Sequence, residues 1–194
     1  MDNLESNIIA HDILNGITIL DESITSSTIL NIIKKLNCQN SKIYHHGLES
    51  DYSFTLNDGC TLNEVDKLES DIKYNLPNDY RQFMLATNGL TLCSITTSSR
   101  IFGIEEIYEV KETFNIYSKN MLAISSCCDG QIHIMIDLES SINKNIYIHE
   151  IMDGDYLYSI GCGFVEFLNR FILTYGSAFW EWGVKASDKI PLIR

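Results

Sequence analysis

The chain has few basic residues, only two prolines, no paired cysteine motif and no long apolar run. Lys and Arg number 14 against 26 Asp and Glu, which gives a net charge of −12. A molecule of that charge repels phosphate backbones, so nucleic acid is not an expected ligand and a basic partner is favoured. Solubility alone would account for the same acidity. A hydrophobic content of 45% with so little proline indicates a folded chain.

The cysteines form no C-x-x-C pair and are scattered among aliphatic residues. This spacing disfavours a zinc ribbon, a thioredoxin-like site and a disulfide framework. We therefore expect reduced and mostly buried thiols. The six positions are Cys38, Cys60, Cys93, Cys127, Cys128 and Cys162.

No apolar stretch is long enough to span a bilayer, and the first residues are acidic where a signal peptide would be basic. We expect a soluble protein that stays in the cytoplasm, with no membrane partner. The 194 residues are typical of one domain. We place that domain at residues 23–194, including the C-terminal helix and an aromatic tail, after an N-terminal extension over residues 1–22.

Residues 58–90 have the clearest local pattern, which predicts two helices with a hinge between them. Thr61 and Glu64 have the spacing of a capping box, so a helix should begin there. Leu76-Pro77 should end that helix, and Pro77 should start the next one. The expected apolar face of the first helix is Leu62, Val65, Leu68 and Ile72, and that of the second is Tyr80, Phe83, Met84 and Thr87. Asn88-Gly89 should close the second helix in the left-handed conformation.

After Gly89 the apolar period falls from 3.6 to about 2, which predicts a sheet. Asp129-Gly130 and Asp153-Gly154 each lie between alternating runs and predict two hairpins. Helical spacing predicts helices over 23–36 and 164–175. Residues 105–114 should form a short helix or a loop. Residues 38–57 should form a loop with at most one short strand. Phe179, Trp180 and Trp182 should pack back on the body.

This order predicts an α+β fold with helices packed on one face of a mainly antiparallel sheet of four to six strands. The second face of the sheet could be open.

The residues that could support catalysis do not form a recognisable constellation. There is no dinucleotide fingerprint and no P-loop. Cys127-Cys128 lacks the base and orienting group that a thiol nucleophile needs. His133 and His149 fall on neighbouring candidate strands, so a metal site between strands is conceivable, but we interpret both as half-exposed strand residues. We expect no enzymatic activity, no metal and no cofactor.

Acidic residues are concentrated between Asp129 and Glu166, where Lys144 is the single base. Exposed carboxylates on turns and on a sheet face could capture a basic protein quickly. Ordinary solubility and protection of sheet edges would also explain them. The candidate partner-binding residues are Asp129, Asp137, Glu139, Glu150, Asp153 and Asp155.

The order of motifs in the central stretch resembles the signature of the SUKH superfamily, which includes yeast regulators of cell-wall assembly and many bacterial immunity proteins. The matching positions are Leu68-Glu69, Leu76-Pro77, Asp79-Tyr80, Phe83 and Asn88-Gly89, with Ile101–Ile107, Asp129-Gly130-Gln131 and Phe164–Leu168 further along. The resemblance covers roughly residues 24–171. Leu90 departs from it, since a second glycine is common there, and residues 1–22 and 176–194 lie outside the pattern.

The resemblance implies the same α+β fold and a protein-binding scaffold without an active site, because the matched residues are caps and core positions. Such scaffolds are most often immunity proteins, so the resemblance implies a protein that binds and neutralises a toxin of a bacterial polymorphic toxin system. The partner would be a basic toxin domain such as a nuclease. The alternative is an intracellular regulatory scaffold of the yeast type.

Overall fold

A computed structural model describes residues 22–36, 42–45, 48–93, 98–113, 119–140, 144–151, 156–182 and 190–191. The predicted extension over 1–22 lies outside this part, apart from Glu22, where the first helix begins. The helices are α1 (Glu22–Leu36), α2 (Leu62–Ile72), α3 (Asn78–Ala86), α4 (Ile104–Thr113) and α5 (Phe164–Leu173), and a 3-10 turn covers Phe179–Trp182. The strands are β1 (Lys42–His45), β2 (Leu48–Asp51), β3 (Ser53–Leu56), β4 (Leu90–Cys93), β5 (Ser98–Ile101), β6 (Met121–Cys127), β7 (Ile132–Asp137), β8 (Ile146–Glu150), β9 (Tyr156–Ser159) and β10 (Ile190–Pro191).

Eight of these strands form one antiparallel sheet in the order β10-β9-β8-β7-β6-β5-β4-β3, and β1 pairs separately with β2. The α+β class and the antiparallel pairing are confirmed, but the expected four to six strands are too few. The region 38–57 holds three strands where at most one was expected. Short segments of this kind become strands because a neighbouring strand pairs with them, as β4 pairs with β3. Their own residue pattern does not predict that pairing.

Helices α1, α3 and α5 pack on one another, and aromatic rings form the centre of their contact. Phe164 of α5 lies edge-on to Tyr80 and Phe83 of α3, with ring centroids 4.9 and 5.3 Å apart. All three side chains are fully buried, and burial of a large apolar side chain stabilises a fold by roughly 1.5–3 kcal/mol. The aromatic tail packs as expected at Phe179, whose ring is 6.1 Å from that of Phe167 in α5, and at Trp180, which is buried.

The carboxylate of Asp79 joins α3 to α5. It accepts a hydrogen bond from the backbone N–H of Tyr80 at 2.8 Å, in the first turn of α3. It also accepts backbone N–H groups of Phe164 and Val165 at the start of α5, where Gly163 has no side chain to cap the helix. Burial raises the pKa of the Asp79 carboxyl, and the bonds to backbone N–H groups oppose that rise.

Helix α2 begins at the predicted capping box and ends before the predicted position. The Thr61 N–H donates to Glu64 Oε2 at 2.7 Å, and the Glu64 N–H donates to Thr61 Oγ1 at 3.3 Å. The helix ends at Ile72, because Lys73 takes a left-handed φ of 65° and donates its N–H to the carbonyl of Glu69. Pro77 therefore starts α3 but does not stop α2. Leu62, expected in the core, is 59% exposed, since the buried face of α2 is formed by Val65, Leu68 and Ile72.

Arg81 of α3 holds the hinge between the two helices. Its guanidinium pairs with Asp66 at 2.6 Å and with Glu69, both on α2. Glu69 also accepts the N–H of Leu76, within the hinge, at 2.8 Å. The Glu69 carboxylate thus contacts both the hinge backbone and helix α3. This gives a structural role to Glu69 of the Leu68-Glu69 pair and to Leu76 of the Leu76-Pro77 pair in the motif.

Asn88-Gly89 has a different role from the predicted helix cap. Helix α3 ends through Thr87 in an extended conformation, with φ of −158°. Asn88 Oδ1 accepts the N–H of Ile104 at 2.8 Å, at the start of α4. Gly89 has φ of +99°, and a Cβ there would lie 2.9 Å from the backbone N of Gly103. Asn88 and Gly89 therefore join the α3–β4 connection to the β5–α4 connection. The close approach to Gly103 and the positive φ both require glycine at position 89.

The second face of the sheet is open at one side and buried in the middle. One row of paired residues crosses this face from Thr55 through Thr91, Arg100, Ser126 and His133 to His149. The row is exposed at Thr55 and Arg100, whereas Ser126, His133 and His149 are at most 4% exposed. The expectation of an open face thus holds for β3–β5 and is wrong for β6–β8.

The two carboxylates that share Arg81 should differ in their contribution to stability. We expect Glu69→Gln to lower the free energy of unfolding by about 1–2 kcal/mol, because it weakens a mostly buried pair and a hinge hydrogen bond. Asp66→Asn makes the same charge change at a side chain that is 59% exposed, and it should cost less than about 0.5 kcal/mol. Urea unfolding of both variants measures the difference, and equal losses would contradict the hinge role of Glu69.

The hydroxyl of Tyr80 is buried and has no hydrogen-bond partner among the described residues. A buried unsatisfied polar group costs about 1–3 kcal/mol, so Tyr80→Phe should leave the free energy of unfolding unchanged or raise it by up to about 1 kcal/mol. The matched control is Tyr158→Phe, which removes a hydroxyl that donates to Glu150 Oε1 at 2.8 Å. That variant should lose about 1–2 kcal/mol. Similar losses in both variants would show that the Tyr80 hydroxyl is bonded.

Candidate functional site

The sequence-predicted acidic residues lie at two opposite ends of the sheet and do not form one patch. Asp129 lies in the β6–β7 turn, and Glu150 pairs with Ile132 at the same end of β7. Asp137 lies at the far end of β7, with Glu139 two residues beyond it. A six-residue strand separates its ends by roughly 20 Å. Asp153 and Asp155 lie outside the described residues.

Asp129 and Glu150 differ in exposure although they share one end of the sheet. Asp129 is exposed and accepts the N–H of Ser98 at 2.9 Å. Its turn is the predicted Asp-Gly hairpin, with positive φ at Cys128, Asp129 and Gly130. Glu150 is only 5% exposed and accepts the Tyr158 hydroxyl. The expectation that Glu150 is a surface carboxylate is wrong, because it lies on the face of β8 that also carries the buried side chains of Ile146 and Ile148.

At the other end, Asp137 holds the start of the β7–β8 loop, and Glu139 connects that loop to the segment that follows α2. Asp137 Oδ1 accepts the side-chain amide of Asn120 at 2.9 Å and the N–H of Glu139 at 3.0 Å. Glu139 is exposed, and its Oε1 accepts the Tyr74 hydroxyl at 3.0 Å. This bond to a carboxylate raises the pKa of the Tyr74 hydroxyl. Two segments 65 residues apart are thereby joined at the surface.

A cleft of about 580 Å³ lies where these segments meet, and we call it the α2 cleft. Its lining residues are Asp66, Glu69, Ser70, Lys73, Tyr74, Asn75 and Leu138. Tyr74 and Leu138 are partly buried and pack against the core, so the cleft offers apolar as well as charged surface. Sequence analysis did not predict it, because α2 and the β7–β8 loop meet only in the tertiary structure. The available signal was the run of charged residues on the exposed side of α2 before Tyr74.

The histidines that could have formed a metal site are buried. His133 is 4% and His149 0% exposed, so the interpretation of half-exposed strand residues is wrong. Their rings are 6.5 Å apart, and the ring of Phe102 is 6.0 Å from that of His133. The described residues contain no group of three or more His, Cys, Asp or Glu side chains suited to a metal. Burial lowers the pKa of His133 to about 4, with smaller effects from His149 and Arg100.

The thiols of the described cysteines are free, and the most buried ones are poor nucleophiles. Burial raises the pKa of Cys60 to about 11 and those of Cys127 and Cys162 to about 12. A thiol with such a pKa is protonated at neutral pH. The prediction of buried, reduced cysteines is confirmed at these three positions, and Cys38 lies outside the described residues.

Among the described helices, none combines the length and the hydropathy that a membrane span requires.

Burial of neutral His133 should make stability depend on pH. Its folded pKa of about 4 is below the unfolded value of 6.5, so its contribution is fully present above pH 6.5 and is lost as the pH falls toward 4. We expect the wild type to lose about 1–2 kcal/mol more than His133→Gln between pH 7 and pH 5. Urea unfolding of both proteins at each pH measures this, and parallel losses would show that His133 does not titrate there.

Comparisons with known proteins agree with the motif order. A family model described as SMI1 / KNR4 family (SUKH-1) matches residues 59–170, from the loop before α2 into α5. Two Bacillus subtilis (strain 168) proteins are similar in sequence. "Uncharacterized protein YobM" is 28% identical over 135 residues, which cover 64% of this chain and 72% of the relative. "Uncharacterized protein YnaB" is 24% identical over 146 residues, which cover 74% of this chain and 97% of the relative. The predicted SUKH resemblance is confirmed, and this chain belongs to the SMI1/KNR4 family (SUKH-1).

Proposed function

We propose that this protein is an immunity protein that neutralises a toxin of a bacterial polymorphic toxin system by binding it directly, without catalysis. The observation that carries the proposal is a concave surface lined by the carboxylates of Asp66 and Glu69, the α2 cleft, on a member of a family for which toxin binding is the role implied by the motif resemblance. The buried histidines and protonated buried thiols support a binding role, because these groups are withdrawn from chemistry.

The net charge of −12 favours a basic partner, and a nuclease domain is the kind of toxin that it fits best. A nuclease needs positive charge to bind phosphate backbones. An acidic protein would be attracted to that same surface over a distance of about a Debye length, and it would be repelled by acidic proteins and by nucleic acid. Charge thus supports both rapid capture and rejection of unsuitable partners.

Co-expression tests the proposal directly. The partner to test is the C-terminal domain of the protein encoded immediately upstream of this chain in its genome, which the proposal requires to be a toxin domain. We expect this protein to rescue growth of cells that express the toxin domain, and the purified proteins to elute as one stoichiometric complex in size-exclusion chromatography. The association rate should fall at least about ten-fold between low and high salt, because steering by charge is screened.

YobM, which is 28% identical to this chain over 135 residues, is the matched control, and it should not rescue cells from this toxin domain. Neither binding nor rescue by the wild-type protein would overturn the proposal. Stable binding without rescue would favour a regulatory scaffold of the yeast cell-wall type.

A further inference from the structure

We propose that the α2 cleft is the docking point of the partner, and that it receives a basic segment whose Arg or Lys side chain enters the cleft. The identity of the partner rests on the proposed function, whereas the location and the chemistry of the segment rest on the structure. The cleft volume of about 580 Å³ is within the range of roughly 300–1,000 Å³ that is typical of sites for bound groups.

Charge determines which kind of side chain fits. Two carboxylates and one ammonium group line the cleft, those of Asp66, Glu69 and Lys73. Glu139 adds a third carboxylate at the border, since it accepts the hydroxyl of the lining residue Tyr74. The excess is one negative charge when Lys73 and Arg81, which pairs with Asp66 and Glu69, are counted. A phosphate or an acidic peptide would be repelled, and a guanidinium or ammonium group would be attracted.

The carboxylates keep capacity for a ligand after their internal bonds are made. Asp66 uses Oδ1 for Arg81, and Glu139 uses Oε1 for Tyr74. Within the described part of the chain, no hydrogen bond reaches Asp66 Oδ2 or Glu139 Oε2. Each ionised carboxylate has about four acceptor positions, so an incoming donor can bind without breaking these contacts.

The same internal bonds hold the site in place before binding. Glu69 is held by Arg81 and by the Leu76 N–H, and Glu139 by Tyr74. Ordering a free side chain on binding costs roughly 0.5–1.5 kcal/mol, and side chains that are already ordered avoid most of that cost. Asp66, Glu69 and Glu139 are thus held beside one cleft, whereas Asp129, which the Ser98 N–H also holds, is a single carboxylate on a turn.

Tyr74 and Leu138 provide surface for the rest of the incoming residue. Both are partly buried, contact the core and line the cleft. The aliphatic stem of Arg or Lys can pack on Leu138, and a guanidinium can stack on the Tyr74 ring. A basic segment of a protein satisfies both the charged and the apolar parts of the cleft.

Binding of the upstream-encoded toxin domain to three charge-matched variants tests the location. Glu139→Lys reverses a carboxylate beside the cleft, and we expect it to weaken binding at least about ten-fold. Glu181→Lys makes the same change at an exposed residue near Cys128, at the opposite end of the sheet, and it should change the Kd less than about three-fold. Asp129→Lys tests the alternative suggested by the sequence, in which the β6–β7 hairpin turn binds the partner.

Weaker binding by Asp129→Lys than by Glu139→Lys, or equal effects of Glu139→Lys and Glu181→Lys, would overturn the inference. Thermal unfolding of each variant is the control for folding. Because Glu139 is exposed and makes its one described side-chain hydrogen bond to Tyr74, its replacement should leave the fold intact.

A second experiment works without the toxin domain and so separates the two proposals. A hexa-arginine peptide is titrated into the ¹⁵N-labelled wild-type protein, with hexa-glutamate as the control. We expect chemical-shift changes from hexa-arginine to be largest at residues 66–75 and 138–139. Largest changes around Asp129 or on α4 would overturn the cleft as a basic-segment site. A positive result here with no toxin binding would refute the proposed function alone.

Discussion

The carboxylate of Asp79 is the contact on which the arrangement of helices depends. It lies at the N-termini of both α3 and α5, so one half-buried carboxylate accepts N–H groups from two helices whose dipoles favour a negative charge there. Burial alone would make that charge unfavourable. The N–H groups offset the cost, and the aromatic contact of Phe164 with Tyr80 and Phe83 follows from the same placement.

Once α3 is fixed on α5, the hinge decides where α2 lies. Arg81 holds Asp66 and Glu69, and the left-handed Lys73 directs the chain away from the helix axis. Tyr74 then reaches Glu139 on the β7–β8 loop. The α2 cleft is the space left between these segments. The motif residues Glu69 and Leu76 therefore build the hinge beside this cleft.

The buried histidine and thiols are neutral, whereas many of the carboxylates are exposed. His133 and the buried thiols remain uncharged at neutral pH because burial shifts each pKa toward the neutral form. Of the predicted partner-binding residues, Asp129 and Glu139 are exposed at opposite ends of the sheet, and Glu139 borders a concave site. Overall charge would attract a basic partner to the molecule, and the cleft would decide where it binds.

The sequence by itself determined the α+β class, the two central helices, the Asp129-Gly130 hairpin and helix α5, because each is encoded by a local period or by a cap. It also determined the family through the order of those motifs. Tertiary structure decided the end of α2 at Lys73, the strands beyond the single one expected in the region 38–57, the burial of Glu150, His133 and His149, and the cleft beside Tyr74. The spacing of apolar residues shows which residues share one face of a helix or strand. How exposed that face is, and which distant residues it contacts, depends on the elements that pack against it.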